Sequence, residues 1–135
     1  MPDSLRYSAS TLVERPGLRF LVLLTVWGLA LTAVVTNATV MAALVVPFSR
    51  WQGEVAAWYL GAASLPVGVV PSCSGLDAMS LCVAATLAFP RTWRQRLAGA
   101  GVGLVLLLVV NLARIGSLAA AVDSAWFDVL HIVVW

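Results

Sequence analysis

The fold is decided by residues 97–122, which read LAGAGVGLVLLLVVNLARIGSLAAAV and carry a single charged side chain, that of Arg114. A membrane span needs about 20 consecutive apolar residues, so this stretch predicts a transmembrane helix. The stretch RTWRQR at 91–96, directly before it, is rich in arginine. Because cytoplasmic loops are enriched in arginine, the helix should start at the cytoplasmic face. At 1.5 Å per residue, Arg114 then lies roughly 26 Å above that face, close to the outer interface.

The composition of the whole chain also indicates a membrane location. Of its 135 residues, 61% are hydrophobic and 10% are charged, whereas a soluble domain carries about 25% charged residues. The length allows one domain. The net charge of +2 is small and scattered along the chain, which excludes the basic footprint of a nucleic-acid-binding protein. We therefore expect an all-α membrane protein with no nucleic-acid partner.

Four apolar segments predict a polytopic transmembrane helix bundle that forms one membrane domain. Residues 20–46, ended by Pro47, contain no charged side chain and form the first span. Residues 73–90 form a short second span, and residues 97–122 form the third. Residues 125–135 begin a fourth span that is too short to cross the bilayer. The prediction is thus three full spans and a truncated fourth.

The segment between the first and second spans has a different pattern. Residues 48–72 carry Arg50 and Glu54 among tryptophan and tyrosine residues, followed by prolines and glycines. Aromatic residues mixed with a few charges are typical of an interfacial helix. From Leu60 onward the same residues fit a re-entrant stretch equally well, and the pattern does not separate these alternatives.

The placement of arginine also predicts the orientation in the cell membrane. The tail at 1–19 and the loop at 91–96 each contain three arginines, so both should be cytoplasmic, with the N terminus inside. Three residues of types that often act in catalysis then share the outer face. They are Cys73 at the start of the second span, Arg114 near the end of the third, and His131 after the outer acidic connection.

Cys73 lies in the stretch PSCSG at 71–75, at a transition from loop to helix. A helix N terminus and a neighbouring cation both stabilise a thiolate, and the free N–H groups of a first helical turn can form an oxyanion hole. A lone cysteine is nevertheless more often a small packing residue, and this is our interpretation of Cys82, on the opposite helix face. Asp77, four residues after Cys73, either pairs with Arg114 or caps the helix start.

Arg114 is a charged residue inside a predicted span, which costs about 2.5–3.5 kcal/mol at the bilayer centre and less near the interface. Such residues usually have a function. Asn111 and Ser117, three residues to either side, share its helix face, as expected for a stripe that points into a protein interior or a wet cavity. Alternatively, Arg114 extends to the outer headgroups. His131 is the only histidine, and a lone histidine is more often structural than catalytic.

Three short motifs follow one another along the chain: CSGL at 73–76, NLARI at 111–115 and FDVLH at 127–131. In this order they resemble the signature of the exosortase/archaeosortase family of membrane-embedded cysteine transpeptidases. The resemblance covers roughly residues 40–135. The family's last helix continues beyond the histidine, whereas this chain ends at Trp135, so we expect a truncated or minimal member.

The resemblance implies cleavage of C-terminal sorting signals on secreted proteins that are still tethered to the membrane. The new carboxyl end would pass to a lipid or cell-surface acceptor. Cys73 would be the nucleophile that forms a thioester, His131 the acid and base, and Arg114 the group that stabilises the oxyanion. The supporting residues would be Ser74, Gly75 and Asn111. The resemblance implies no metal ion and no organic cofactor.

Two other functions fit parts of the pattern. In a non-catalytic membrane subunit the polar residues would only hold helices together, and Cys73 would be unreactive. A membrane thiol oxidoreductase would use Cys73 and Cys82 with a quinone. The chain lacks a C-x-x-C motif and the two cysteines lie on opposed helix faces, which argues against this second alternative.

Overall fold

A computed structural model describes residues 15–66, 68–124 and 127 of the chain. The described part is all-helical, as the composition predicts. In chain order its elements are α1 (Pro16–Val35), α2 (Ala38–Val40), a π-helical turn (Met41–Val45), α3 (Val46–Tyr59), a 3₁₀ turn (Pro71–Cys73), α4 (Leu76–Ala88) and α5 (Trp93–Ala120).

Two of these helices, α1 and α5, are long and apolar enough to cross a membrane, and α4 is a shorter apolar helix. Many large apolar side chains on both long helices are exposed, among them Leu29 on α1 and Val102 and Val105 on α5. Extended apolar surface of this kind is unfavourable in water and is expected to face lipid. The arrangement of three full spans and a fourth remains a prediction, and most of the fourth segment lies outside the described residues.

The first predicted span, 20–46, is interrupted in the structure. α1 ends at Val35, and the Asn37 side-chain oxygen accepts hydrogen bonds from the N–H groups of Thr39 (3.0 Å) and Val40 (3.4 Å). Asn37 therefore caps a new helical start, with the extended backbone that is usual for such a cap. Hydropathy alone misses this break, because one short polar side chain can compete for backbone hydrogen bonds inside an apolar stretch.

Pro47 does not end a helix, contrary to the prediction. It lies in the first turn of α3, directly after the π-helical turn Met41–Val45. At the junction the Val46 N–H donates to Met41 O, five residues earlier. A proline lacks an N–H and clashes with the carbonyl four residues earlier in a regular α-helix. The wider π turn loosens that packing, and the chain continues as a helix to Tyr59.

α3 occupies the first half of the segment 48–72, which was predicted to be interfacial or re-entrant. One of its faces is buried, including the polar residues Ser49 and Gln52, and it packs against α5 and the 3₁₀ turn. Trp58 and Tyr59 at its end are exposed, as expected of aromatic side chains near an interface. α3 is therefore more than a surface helix, because its polar groups lie against other helices.

α4 packs against both α1 and α5. Phe20 of α1 and Phe89, which follows α4, meet edge to face with ring centroids 5.5 Å apart. On the other side, a side chain at Gly103 of α5 would collide with the Cys82 sulfur of α4. Together with Gly99, this glycine forms a G-x-x-x-G pattern, which allows membrane helices to approach closely. Cys82 is thus a packing residue, as predicted.

α5 begins at Trp93, four residues before the predicted span 97–122. The early start has a local cause, a capping box in which the Thr92 N–H donates to Gln95 Oε1 at 3.3 Å and the Thr92 side chain bonds back to the third helical residue. Part of the arginine-rich stretch therefore belongs to the first turns of the helix.

Candidate functional site

The site is built around the 3₁₀ turn Pro71–Cys73, which precedes α4. The Cys73 N–H donates to Val70 O (2.8 Å), and the Ser74 N–H donates to Pro71 O (3.1 Å). The Ser74 hydroxyl donates to Pro71 O as well (2.6 Å). Cys73 therefore lies on a well-bonded turn just before α4, with its free thiol half-buried.

Gly75 joins this turn to α4. Its φ of +71° lies in the left-handed region, which costs a residue with a side chain about 1–2 kcal/mol. A Cβ here would also lie 3.1 Å from Asn111 Cγ on α5. Glycine is thus required by the backbone and by the approach of α5. As a result α4 starts at Leu76. The predicted second span, 73–90, is therefore α-helical only between Leu76 and Ala88.

Asn111 connects α5 to the cysteine turn. Its buried side chain donates from Nδ2 to Cys73 O (3.1 Å) and to Gln52 Oε1 (3.3 Å). Asn111 lies roughly 27 Å along α5 from Trp93, at 1.5 Å per residue. The amide therefore holds the cysteine turn at the end of α5 that is remote from the arginine-rich loop.

Gln52 completes the contact from α3 and was missed by the sequence reasoning. Its side chain is 0% exposed, and its Nε2 donates to Ser74 O (3.1 Å). The charged neighbours Arg50 and Glu54 made this segment look like an exposed surface.

One signal could have indicated that this face of α3 is buried. Ser49, Gly53 and Ala57 recur every four residues, which is the spacing of small residues at a close contact between membrane helices. Gln52 lies beside that row, so a search for polar residues next to a small-residue stripe would have found it.

Arg114 lies one turn beyond Asn111 on the same face of α5 and is only 7% exposed. Its guanidinium is within electrostatic range of the Cys73 thiol. This burial does not fit the alternative in which Arg114 extends to the outer headgroups. The structure therefore brings Cys73, Ser74, Gly75, Asn111 and Arg114 together, although the cysteine motif and the arginine motif are far apart in the chain.

Ser117 does not continue the buried face, contrary to the expectation. It is exposed, and its hydroxyl donates to Ala113 O (2.6 Å) within its own helix. Leu118 is buried instead. At 3.6 residues per turn, a residue seven positions after Asn111 returns to the same face, and one six positions after it does not.

Asp77 was predicted either to pair with Arg114 or to cap the helix start. It occupies the first turn of α4 and is exposed, whereas Arg114 is buried. The difference in burial argues against the pairing. Asp77 does not cap the helix either, since Gly75 is the N-cap residue and no side chain bonds there, but its carboxylate is stabilised by the N-terminal end of the helix dipole. The predicted third member of the site, His131, lies outside the described residues.

A cavity of about 560 Å³ lies between α3 and α5. Its lining is mainly apolar and includes Val55, Trp58, Val109, Ala113 and Gly116. Ala113 and Gly116 lie on the face of α5 opposite to Asn111 and Arg114, so the cavity is separate from the cysteine site. A half-buried thiol within electrostatic range of a buried cation is an arrangement that suits a nucleophilic cysteine.

Comparison with known proteins identifies a family. The family model of the transmembrane exosortases matches residues 56–134, more than half of the chain, and this range includes Cys73, Asn111 and Arg114. The chain matches no curated protein and no solved structure. With its apolar helices and its cysteine site, this chain belongs to the transmembrane exosortase family and is a membrane protein.

Proposed function

We propose that this chain is a membrane cysteine transpeptidase that cleaves C-terminal sorting signals of secreted proteins, with Cys73 as its nucleophile. The observation that carries the proposal is the hydrogen bond from buried Asn111 of α5 to the cysteine turn, with buried Arg114 one helical turn further along the same face. Asn111 holds the Cys73 carbonyl, and Arg114 lies within electrostatic range of the thiol. Membership in the exosortase family supports the reaction class and the kind of substrate.

In the acylation step the Cys73 thiolate attacks the carbonyl carbon of the scissile peptide and a C–S bond forms. Negative charge develops on the carbonyl oxygen, where Arg114 and the Gly75 N–H can donate to it. The Ser74 N–H was also predicted to help, but it is already bonded within the 3₁₀ turn. The C–N bond then breaks, and the amine leaves with a proton from His131. The product is a thioester on Cys73.

In the transfer step an amine of a lipid or cell-surface acceptor attacks the thioester carbon. The C–S bond breaks, the Cys73 thiolate is restored, and His131 takes up the proton that the amine loses. The apolar cavity between α3 and α5 gives space for an apolar segment of the substrate away from the scissile bond. This fits a substrate that is still tethered by its own transmembrane helix. The steps require no metal ion or organic cofactor.

The proposed topology places this site near the outer face of the cell membrane. Three full spans and a fourth that begins after residue 124 would leave the N terminus and the loop at 91–96 in the cytoplasm. In support, α5 starts at the arginine-rich loop, and Asn111 and Arg114 lie toward its other end.

The direct test is substitution of the nucleophile. Cys73→Ala should abolish processing of a co-expressed secreted protein that carries a C-terminal sorting signal, because no thioester can form. Membrane insertion should be unchanged. Cys82→Ala is the matched control and should process normally, since Cys82 only packs against α5. Normal processing by the Cys73→Ala variant would contradict the proposal.

Alkylation with a membrane-impermeant thiol reagent separates the remaining alternatives. Applied from outside near neutral pH, it should modify Cys73, because the thiol is only partly buried and a nucleophilic cysteine reacts as its thiolate. An unreactive Cys73 would instead favour a non-catalytic membrane subunit. Quinone-dependent thiol oxidation that requires both cysteines would favour the oxidoreductase.

A further inference from the structure

We propose that Gln52 is a positioning residue that sets the direction of the Gly75 N–H, the backbone donor to the oxyanion. This inference rests on the proposed function. Gln52 comes from α3, outside the cysteine and arginine motifs. It is one of the most deeply buried side chains of the described residues. A buried side-chain amide is costly unless its groups are hydrogen-bonded, and here both ends of the amide are used.

The hydrogen bonds of Gln52 have a defined direction. Its Nε2 donates to Ser74 O at 3.1 Å, and its Oε1 accepts from Asn111 Nδ2 at 3.3 Å. Asn111 Nδ2 also donates to Cys73 O at 3.1 Å. Turning either amide over would place oxygen against oxygen, or N–H against N–H. Two successive carbonyls of the cysteine turn are thereby held by two helices.

The anchored carbonyl orients the next N–H. Ser74 O and the Gly75 N–H belong to the same planar trans peptide unit, in which the two groups point in opposite directions. With Ser74 O held by Gln52, the Gly75 N–H must point away from α3. The N–H groups of Cys73 and Ser74 are used inside the 3₁₀ turn. The Gly75 N–H is therefore the first one after the thiol that the turn itself leaves for a substrate.

Gln52 does not need to contact the substrate for this role. Without its donor, the Ser74–Gly75 peptide can rotate about the positive φ of Gly75, and the N–H loses its preset direction. Preset donors act mainly on the transition state. The expected signature is a lower kcat with little change in KM.

The test compares Gln52→Met, which conserves volume and removes both hydrogen bonds, with Ser49→Ala as the matched control. Ser49 is similarly buried on the same face of α3, but its hydroxyl donates to Val45 O, four residues earlier in the chain, and not to the cysteine turn. Gln52→Met should lower kcat for sorting-signal cleavage by about 10²-fold, the usual loss for one oxyanion-hole donor. KM and the alkylation rate of Cys73 should stay near wild type. An unchanged kcat, or a loss confined to KM, would overturn the inference.

A spectroscopic readout tests the same point without any substrate. Ser74–Gly75 is the only Ser-Gly pair in the chain, so labelling with ¹³C′-serine and ¹⁵N-glycine gives one peptide signal in solid-state NMR. That signal should move in Gln52→Met and stay in place in Ser49→Ala. If Gln52→Met does not accumulate, the same point can be measured on the wild-type protein. Solid-state NMR should then show a short-range contact between a glutamine side-chain ¹⁵N and the Ser74 ¹³C′. Absence of this contact would refute the positioning role.

The two proposals fail in different ways. If wild-type processing does not depend on Cys73, the proposed function is wrong, whatever the NMR signal does. If processing depends on Cys73 but Gln52→Met cleaves at the wild-type rate, only the role of Gln52 is wrong.

Discussion

α5 makes two close approaches to its neighbours, and the two differ in chemistry. In the first half of the helix, Gly103 leaves room for the Cys82 sulfur of α4. Toward its other end, Asn111 approaches Gly75 and hydrogen-bonds the cysteine turn. Both contacts depend on a glycine. The first gains only packing, whereas the second satisfies buried polar groups and orients them. The first half of α5 therefore packs as an ordinary apolar helix, whereas its second half supplies polar side chains to the site.

The largest effect on kcat is expected at the charged residue of the site, Arg114. Arg114→Lys should lower kcat by about 10²–10³-fold, because a lysine lacks the planar fork that can donate to an oxyanion from two positions. Processing assays on membranes with matched protein levels would measure this. Normal activity of the lysine variant would mean that Arg114 is only a topological anchor.

Gly75→Ala should damage the site through two causes that can be separated. The positive φ alone should destabilise the protein by about 1–2 kcal/mol, and the contact with Asn111 should displace the turn and lower kcat by about tenfold or more. The matched control is Gly61→Ala. Gly61 has a similar φ of +67°, with nothing within 4 Å of the added carbon.

The comparison of these two variants decides the role of the Asn111 contact. Gly61→Ala should show the loss of stability in thermal unfolding but keep wild-type kcat. If both variants lower kcat equally, the approach of α5 to Gly75 has no catalytic importance.

Changes at the packing contact between Gly103 and Cys82 should lower the stability of the protein and leave its kcat unchanged. Gly103→Ala places a methyl group against the Cys82 sulfur and should destabilise the protein by about 1–3 kcal/mol in detergent. Cys82→Ala in the same chain should restore most of this loss. Gly101→Ala, with open space around the added carbon, is the control. An equal loss in that control would show that the α4 contact is not the cause.

The smallest effect is expected on the exposed face of α5. Val105→Ala removes a side chain that is 61% exposed, so stability should change by no more than about 0.5 kcal/mol and activity should not change. Thermal unfolding and the processing assay would check both. A loss as large as that of Gly103→Ala would indicate that this face contacts protein and not lipid.

The sequence predicted those parts of the molecule that depend on local chemistry. Scarce charges predicted an all-helical membrane protein, and a three-residue spacing predicted that Asn111 and Arg114 share one face. It failed where a single residue changes the hydrogen-bonding pattern of an apolar run, as at Asn37, which starts a new helix, and at Pro47, which a π turn accommodates. Hydropathy averages over a window and does not register such changes.

Depth in the membrane and lateral position have different physical origins. The rise per residue of a helix and the charge of the loop at 91–96 are properties of short stretches of chain. They are enough to predict that Cys73 and Arg114 lie at a similar depth in the membrane. Which side chains meet at that level depends on how the helices pack and on their rotation about their own axes. Gln52 and Asn111 are 59 positions apart, and only the packing of α3 against α5 makes each the hydrogen-bond partner of the other.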